Sequence, residues 1–317
     1  MDQELVSELY TKMLRIRHFE EEAARLHQAQ KIAGPLHLYS GQEAVAVGTL
    51  SVLEGDDAVI SSFRCMGHFL AQGGSTKAGF AELMGKEAGC SKGRGGSMHL
   101  FDTSRNFFGG WQIIGSQIPV AAGLAFAQKY KDSNAVTICF FGDGAINIGA
   151  FHEGLALAAL WKLPVVFIIE NNRYAMHTPV EKSFPIEDLS VRALAYPMAR
   201  DTVEGHDVFA VRGATHTAIR RAREQKLPTL IEAKTVRLRG FSVADATENG
   251  STGALNTAKE KDPIIFLEQK MENLGMEKER DRIQADMRTE IEAAVQFAEN
   301  APEPTPSGAL DYTYSEE

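Results

Sequence analysis

Two short apolar runs, each followed by polar residues, place the strongest constraint on how this chain can fold. Residues 135–141 are almost entirely apolar and run into a Gly-Asp-Gly turn at Asp143, and residues 164–169 run into a polar stretch that contains Asn172. Between them, apolar residues recur at helical spacing. Strand, helix and strand form a βαβ unit with parallel strands and a right-handed crossover. The sequence therefore predicts an α/β fold, a mostly parallel sheet with helices on both faces.

This arrangement predicts a ligand site at the end of the two strands. Parallel strands end at the same edge of the sheet, so Asp143 and Asn172 are expected side by side where open α/β sheets bind ligands. A carboxylate and an amide oxygen suit Mg²⁺, which keeps coordination positions for water and phosphate. Gly144 allows close approach of a phosphate to the N-terminus of the following helix. A Gly-Asp-Gly triplet alone is more often a simple turn, and the Asn pair after the next strand favours a Mg²⁺–diphosphate site.

The same residues resemble the fingerprint of thiamine-diphosphate enzymes, in which Gly-Asp-Gly is followed by a helix, a strand and Asn-Asn. The resemblance implies the thiamine-diphosphate-binding fold, with thiamine diphosphate and Mg²⁺ as cofactors. It also implies that Asp143, Asn172 and the backbone carbonyl of Tyr174 bind the metal. Residues 158–164 and 170–174 resemble the α subunits of 2-oxo acid dehydrogenases of the pyruvate and acetoin type.

This resemblance covers nearly the whole chain. It implies that residues 1–317 form a single α/β domain, the diphosphate-binding half of the enzyme, with helical N-terminal and C-terminal extensions. It also implies further cofactor contacts: Phe63, Arg64, Ile114, Gly142, Gly144 and Ala145. Phe63 and Arg64 follow a predicted strand at 57–62, and a guanidinium group suits a bidentate grip on diphosphate.

A catalytic histidine is implied near the start of the chain. His37 falls where relatives have a histidine beside the substrate, although a lone histidine after a Gly-Pro turn is otherwise structural. The stretch that begins at His37 is predicted to start a short helix. Further along, residues 175–198 lack a clear period and are predicted to be a long surface segment.

Three positions depart from the family pattern. Met66, Gln112 and Phe241 stand where relatives usually have His, Gly and His. The histidine at the third position can donate a hydrogen bond towards the diphosphate, which Phe241 cannot. Arg239 shares a face with Phe241 if the segment is extended, as does Arg237, and Arg239 is predicted to bind the cofactor instead.

The segment that carries these arginines, residues 236–253, is expected to be a mobile loop over the cofactor. The resemblance implies an α subunit of an enzyme that decarboxylates a 2-oxo acid, or cleaves acetoin, and transfers the acyl group to a lipoyl carrier on a partner acyltransferase. In two-gene members of the family the β subunit supplies the glutamate that activates the cofactor. The chain is therefore predicted to be inactive without a β subunit and to work in an α₂β₂ assembly.

Two alternatives stay open at this stage. The departures at Met66, Gln112 and Phe241 are also compatible with a two-component acyloin synthase or a transketolase-like acyltransferase that does not use lipoyl. The other alternative is a degenerate subunit with a structural or regulatory role. The retained Asp143, Asn172 and Arg64 argue against that second alternative.

Composition excludes several other classes of protein. Charged residues make up 24% of the 317 residues and the net charge is −9, without the basic footprint of a nucleic-acid-binding protein. No apolar run approaches the 18 residues of a membrane span, and the N-terminus does not resemble a signal peptide. Cys65, Cys90 and Cys139 are widely spaced, as is typical of thiols in a reducing compartment. A cytoplasmic enzyme is predicted.

Overall fold

A parallel sheet of six strands lies at the centre of the computed structural model, which describes residues 2–245, 260–308 and 310–311. Its strands are β1 (Ala58–Ser62), β2 (Phe107–Trp111), β3 (Thr137–Gly142), β4 (Val165–Asn171), β7 (Ala199–Glu204) and β8 (Thr229–Lys234), and a separate hairpin pairs β5 (Tyr174–Ala175) with β6 (Thr178–Pro179). The order across the sheet is β2-β1-β3-β4-β8-β7, with every neighbouring pair parallel. The predicted parallel α/β fold is confirmed.

Helices cover both faces of this sheet, as predicted. Along β3, Ile138 and Phe140 point into one apolar core, while Cys139 and Phe141 point into a second core on the opposite face. Among the described residues, no helix is both long and apolar enough to cross a membrane. The helices are α1 (Gln3–Gln28), α2 (Glu43–Leu50), α3 (Met66–Ala71), α4 (Thr76–Leu83), α5 (Gln117–Tyr130), α6 (Gly149–Leu160), α7 (Val180–Ser183), α8 (Val208–Gln225), α9 (Pro263–Asn273) and α10 (Glu277–Asn300).

The predicted βαβ unit corresponds to β3, α6 and β4. In the ladder between the two strands, Gly142 lies opposite Glu170, so the residues that follow both strands leave the sheet at one edge. β1 adjoins β3, whereas β2 lies on the far side of β1. The chain therefore changes direction across the sheet between β1 and β3, and the carboxyl edge at such a point is where open α/β sheets bind ligands.

The prediction of a helix starting at His37 is wrong, because α2 begins only at Glu43. Tertiary contacts hold the preceding residues in irregular backbone. The backbone N–H of Tyr39 donates to the Glu20 carboxylate at 2.7 Å. Gly41 has a φ of +101° and packs so closely on another segment that a Cβ atom there would lie 2.5 Å from the carbonyl oxygen of Val236.

The prediction that residues 175–198 lie on the surface is wrong in part. Phe184, Leu189 and Ala193 are buried in the core that faces α5 and α6. A 3₁₀ helix, Leu189–Ala195, carries two of these side chains inward. The predicted mobile loop falls partly on residues 246–253, which lie outside the described residues.

Glu20 is an acidic side chain that is wholly buried in α1. Its carboxylate accepts hydrogen bonds from the backbone N–H of Tyr39 and, at 2.9 Å, from the Ser40 hydroxyl. Burial raises the pKa of Glu20 to about 8, the neighbouring Glu43 carboxylate adds to this, and the hydrogen bonds oppose it. The folded protein therefore favours the protonated form of Glu20 at neutral pH.

This burial predicts a pH dependence of stability. A folded-state pKa of about 8 lies above the ordinary 4.5, so the stabilisation is complete below 4.5 and is lost as the pH rises through 8. The free energy of unfolding of the wild type should fall relative to that of Glu20→Gln by at least about 1 kcal/mol across this window. Urea unfolding at a series of pH values measures this free energy, with Glu21→Gln on the exposed face of α1 as the control. Parallel pH profiles for the wild type and Glu20→Gln would contradict the buried, protonated carboxyl.

Candidate active site

A cavity of about 170 Å³ opens at the carboxyl edge of the sheet, where β1, β3 and β4 end. It lies at the change in strand order described above. The lining includes most of the residues predicted to contact a cofactor, namely Phe63, Arg64, Ile114, Gly142, Asp143, Gly144, Ala145, Asn172 and Tyr174. Segments that are far apart in sequence therefore meet at one place, as the parallel topology requires.

The predicted metal ligands lie next to each other in this cavity. Asp143 is buried directly after β3, and the backbone N–H of Asn172 is close enough to stabilise its carboxylate. Burial raises the pKa of Asp143 to about 6, while Arg237, Arg64 and the nearby backbone N–H groups oppose the rise. The Asn172 side-chain oxygen accepts a 3.4 Å hydrogen bond from the backbone N–H of Tyr174.

The donor set fits Mg²⁺. The described residues contain no cluster of three or more His, Cys, Asp and Glu side chains that could hold a metal ion. A cation here would depend on the Asp143 carboxylate, the Asn172 amide oxygen and a backbone carbonyl. Such oxygen ligands, too few to enclose the ion, suit Mg²⁺ because it retains waters and binds phosphate oxygens.

Two buried guanidinium groups line the same cavity. Arg64 donates to the carbonyl oxygens of Leu38 and Phe241, and Arg237 donates to the carbonyl of Met176 at 3.2 Å. Burial, together with the positive charge of Arg237, lowers the pKa of Arg64 to about 9. Two buried cations that line one cavity favour an anion between them, and guanidinium groups match phosphate oxygens.

The backbone of the Gly-Asp-Gly turn is also open to a ligand. A Cβ atom on Gly142 would meet no atom within 4 Å, so the cavity extends to the main chain there. Gly144 is required for another reason, since its Cβ atom would lie 2.9 Å from Cβ of Ala175. Together with the arginines and the oxygen ligands, this fits a diphosphate bound through Mg²⁺.

His37 lies beside the cavity. Its ring contacts Phe63 and Phe241, with centroid distances of 4.9 and 4.6 Å, and both of these rings line the cavity. His37 Nδ1 lies 2.8 Å from the carbonyl oxygen of Phe241. A carbonyl only accepts hydrogen bonds, so Nδ1 carries the proton and Nε2 is the acceptor. Burial lowers the pKa of His37, which keeps the ring neutral near pH 7.

The three departures from the family pattern lie in different surroundings. Met66 is buried in the core beneath α1, Gln112 is exposed, and Phe241 lines the cavity. The two arginines near Phe241 also lie in different surroundings. Arg237 lines the cavity and is 5% exposed, whereas Arg239 is exposed and lies outside the lining. Phe241 is thus the departure with direct access to a ligand.

The cavity also contains polar residues that were not predicted from the sequence as site residues, among them Gln42, Gln117 and Glu170. Gln117 donates from Nε2 to the carbonyl of Phe140 at 2.9 Å. The carboxylate of Glu170 accepts hydrogen bonds from the Tyr39 hydroxyl and, at 2.9 Å, from His68 Nε2. Glu170 could have been predicted from the sequence, because it lies at the end of an apolar strand just before the Asn pair.

The fold and the cavity define the class as an α/β protein that binds its ligand at the carboxyl edge of a parallel sheet. An open parallel α/β sheet carries a cavity lined by the predicted oxygen ligands and by two arginines, at the edge where the strand order reverses. The particular family follows from comparison with known proteins. Residues 11–307 match the dehydrogenase E1 component family, and the chain belongs to that family.

Individual relatives agree over nearly the full length of the chain. A pyruvate dehydrogenase E1 component subunit alpha from Zymomonas mobilis is 44% identical over 306 residues, covering 96% of this chain and 86% of the relative. Relatives of the same name from Porphyra purpurea and Rhizobium meliloti are 40% and 41% identical, covering 97% and 93% of this chain and 92% and 86% of the relatives. The predicted α subunit of a 2-oxo acid dehydrogenase is confirmed, together with thiamine diphosphate and Mg²⁺ as the cofactors of such enzymes. Membership also implies a β subunit as partner.

The different surroundings of Arg237 and Arg239 lead to a prediction. Arg237→Ala should weaken thiamine diphosphate binding about tenfold or more, since hydrogen bonds to charged groups contribute about 1.5–3 kcal/mol each. Arg239→Ala is the matched variant on the exposed side of the same segment and should change binding by less than about threefold, as surface charges contribute little. Calorimetric titration of the assembled enzyme measures both. A larger loss in Arg239→Ala would reverse the assignment.

Proposed function

We propose that this chain is the α subunit of an enzyme that decarboxylates pyruvate, or a 2-oxo acid of similar size, and transfers the acyl group to a lipoyl carrier. The observation that carries the proposal is the placement of Asp143, Asn172, Arg64 and Arg237 in one cavity at the carboxyl edge of the sheet. The relatives that share the name pyruvate dehydrogenase support the choice of substrate.

Different residues of the cavity would bind the metal, the diphosphate and the apolar part of the cofactor. Asp143, Asn172 and the carbonyl of Tyr174 would hold Mg²⁺, and Arg64 and Arg237 would bind the diphosphate oxygens. Gly142, Gly144 and Ala145 bring the main chain to the phosphates, and Phe63 and Ile114 offer apolar contact. Thiamine diphosphate, when bound, supplies the carbanion stabilisation that allows a 2-oxo acid to lose CO₂.

His37 is the proposed catalytic residue of this chain. Its Nε2 is available as a hydrogen-bond acceptor, because the carbonyl of Phe241 fixes the proton on Nδ1. A neutral imidazole in that tautomer can accept a proton from a substrate group at Nε2 and return it. The lowered pKa favours this neutral form.

The rest of the active site is proposed to come from a β subunit in an α₂β₂ assembly. The cavity of about 170 Å³ is smaller than the roughly 300–1,000 Å³ of most ligand pockets, so part of the cofactor would lie outside it. Ile114 at the cavity is 47% exposed and its neighbour Ile113 is 72% exposed. Exposed apolar side chains of this kind are typical of protein interfaces.

Other parts of this proposal rest on the sequence. The whole chain is proposed to act as one diphosphate-binding domain, and the lipoyl carrier is proposed to belong to a partner acyltransferase. A cytoplasmic location stays a prediction, supported by Cys65, Cys90 and Cys139, all of which are free thiols.

A second candidate function is transfer of the acyl group to an acceptor other than lipoyl. Phe241 favours it, because an apolar ring lines the cavity where the family resemblance implies a histidine. Met66 and Gln112 do not add to this argument, since neither lines the cavity. A purely structural role is disfavoured, because buried charges such as Asp143 and Arg64 destabilise a fold that does not use them.

The direct test compares three preparations in the same assay. The α–β assembly should decarboxylate pyruvate with an artificial electron acceptor, whereas the isolated α chain and an assembly carrying Asp143→Ala should lose at least about 99% of that rate, because metal-bound diphosphate anchors the cofactor. Asp188→Ala, which removes a half-buried ion pair with Lys234 at the same edge of the sheet, is the control. Undiminished activity in Asp143→Ala would contradict the proposed site.

The acceptor is settled by a second measurement on the active assembly. Acylation of a lipoyl domain at a rate comparable to decarboxylation supports the lipoyl carrier. Decarboxylation without lipoyl acylation supports the second candidate, and Phe241→His should then raise the lipoyl rate if Phe241 is the cause.

A further inference from the structure

The side-chain amide of Asn172 has two unlike ends, and only its oxygen can bind a cation. Its Nδ2 donates to Gln42 Oε1 at 3.0 Å, while its Oδ1 accepts from the backbone N–H of Tyr174. A reversed amide would place two donors against each other at Tyr174 and two oxygens against each other at Gln42. The hydrogen bonds therefore fix one orientation, and Oδ1 keeps a lone pair for a further partner.

Gln42 is fully buried, lines the cavity and lies immediately before α2. With Oε1 turned towards Asn172, its Nε2 has no hydrogen-bond partner in the part of the chain that the structure describes. An unpaired buried donor is unfavourable. A phosphate oxygen in the cavity would provide the missing acceptor, so the orientation of Gln42 suits both a metal ligand and an anion.

We propose that Gln42 is a positioning residue for the metal ligand Asn172. By accepting a hydrogen bond from Nδ2, Gln42 directs Oδ1 towards the cation without touching the metal itself. The inference rests on the proposed function, because it presupposes the Mg²⁺ site. An amide that rotates freely binds a cation only while its oxygen is in place, and the apparent affinity falls by that fraction.

The test measures metal affinity, not turnover. The full chain is assembled with its β subunit and saturated with thiamine diphosphate, and Mn²⁺ is titrated while its free concentration is followed by electron paramagnetic resonance. Gln42→Leu removes the acceptor and leaves Nδ2 of Asn172 unpaired, and the loss of this hydrogen bond should weaken Mn²⁺ binding about three- to tenfold. Gln42→Glu in its protonated form keeps an acceptor oxygen for Nδ2 and a donor for the phosphate, and should weaken Mn²⁺ binding by no more than about twofold.

A matched control separates this effect from a general loss of packing. Gln128 in α5 also accepts a side-chain hydrogen bond, from the Thr137 hydroxyl at 2.9 Å, and lies outside the cavity lining. Gln128→Leu should leave Mn²⁺ affinity unchanged. An equal loss in Gln128→Leu and Gln42→Leu would show that glutamine removal weakens metal binding through packing.

The decisive comparison uses an Asn172→Asp background. A carboxylate presents an oxygen to the cation in either orientation, so it does not need Gln42 to direct it. In this background, adding Gln42→Leu should change Mn²⁺ affinity by less than about twofold. A residue that only supported the shape of the cavity would cause the same loss in both backgrounds.

The outcomes distinguish a failure of the proposed function from a failure of the positioning role of Gln42. If the unmodified assembly shows no Mn²⁺ binding that depends on thiamine diphosphate, the proposed function itself fails. If that assembly binds Mn²⁺ but Gln42→Leu binds it equally well, or the loss persists with Asn172→Asp, the positioning role is overturned. A loss confined to the Asn172 background supports it.

Discussion

The parallel pairing of β3 with β4 is the constraint on which the rest of the site depends. Gly142 lies opposite Glu170 in that ladder, and Asp143 and Asn172 follow at the same edge. β1 pairs with the other side of β3 and brings Arg64 to that edge. Strand order thus brings together the proposed metal ligands and the proposed anion-binding Arg64, and Gly142 leaves the main chain open beside them.

The cavity contains several buried charged side chains, and a bound ligand of opposite charge would stabilise their charged forms. Asp143 has its pKa raised to about 6 and Arg64 has its pKa lowered to about 9, each chiefly because burial disfavours the charged form. Glu170 and Arg237 add one charge of each sign. A divalent cation with a diphosphate complements these groups, since the cation pairs with the carboxylate and the phosphates pair with the guanidinium groups. The site is therefore organised for a ligand that carries both signs.

The sequence predicted the parts of this site that depend on local pattern. Apolar runs with polar ends located β3, β4, Asp143 and Asn172, and the family resemblance added Phe63 and Arg64. Gln42 was missed because its stretch was predicted to be helical, whereas contacts with Glu20 and Val236, distant in sequence, hold it out of a helix. Arg237 and Arg239 were placed on one face of an extended segment. The segment after β8 is irregular, so only Arg237 reaches the cavity.

Diffraction from crystals of the α–β assembly grown with thiamine diphosphate and Mn²⁺ tests the central claim most directly. Anomalous scattering locates the ion without reference to activity or affinity. The account predicts one strong peak in each α chain, at bonding distance from the Asp143 carboxylate and the Asn172 side-chain oxygen, with the diphosphate between it and the arginines. Cofactor bound with the ion elsewhere, or with no ion beside Asp143, would contradict it.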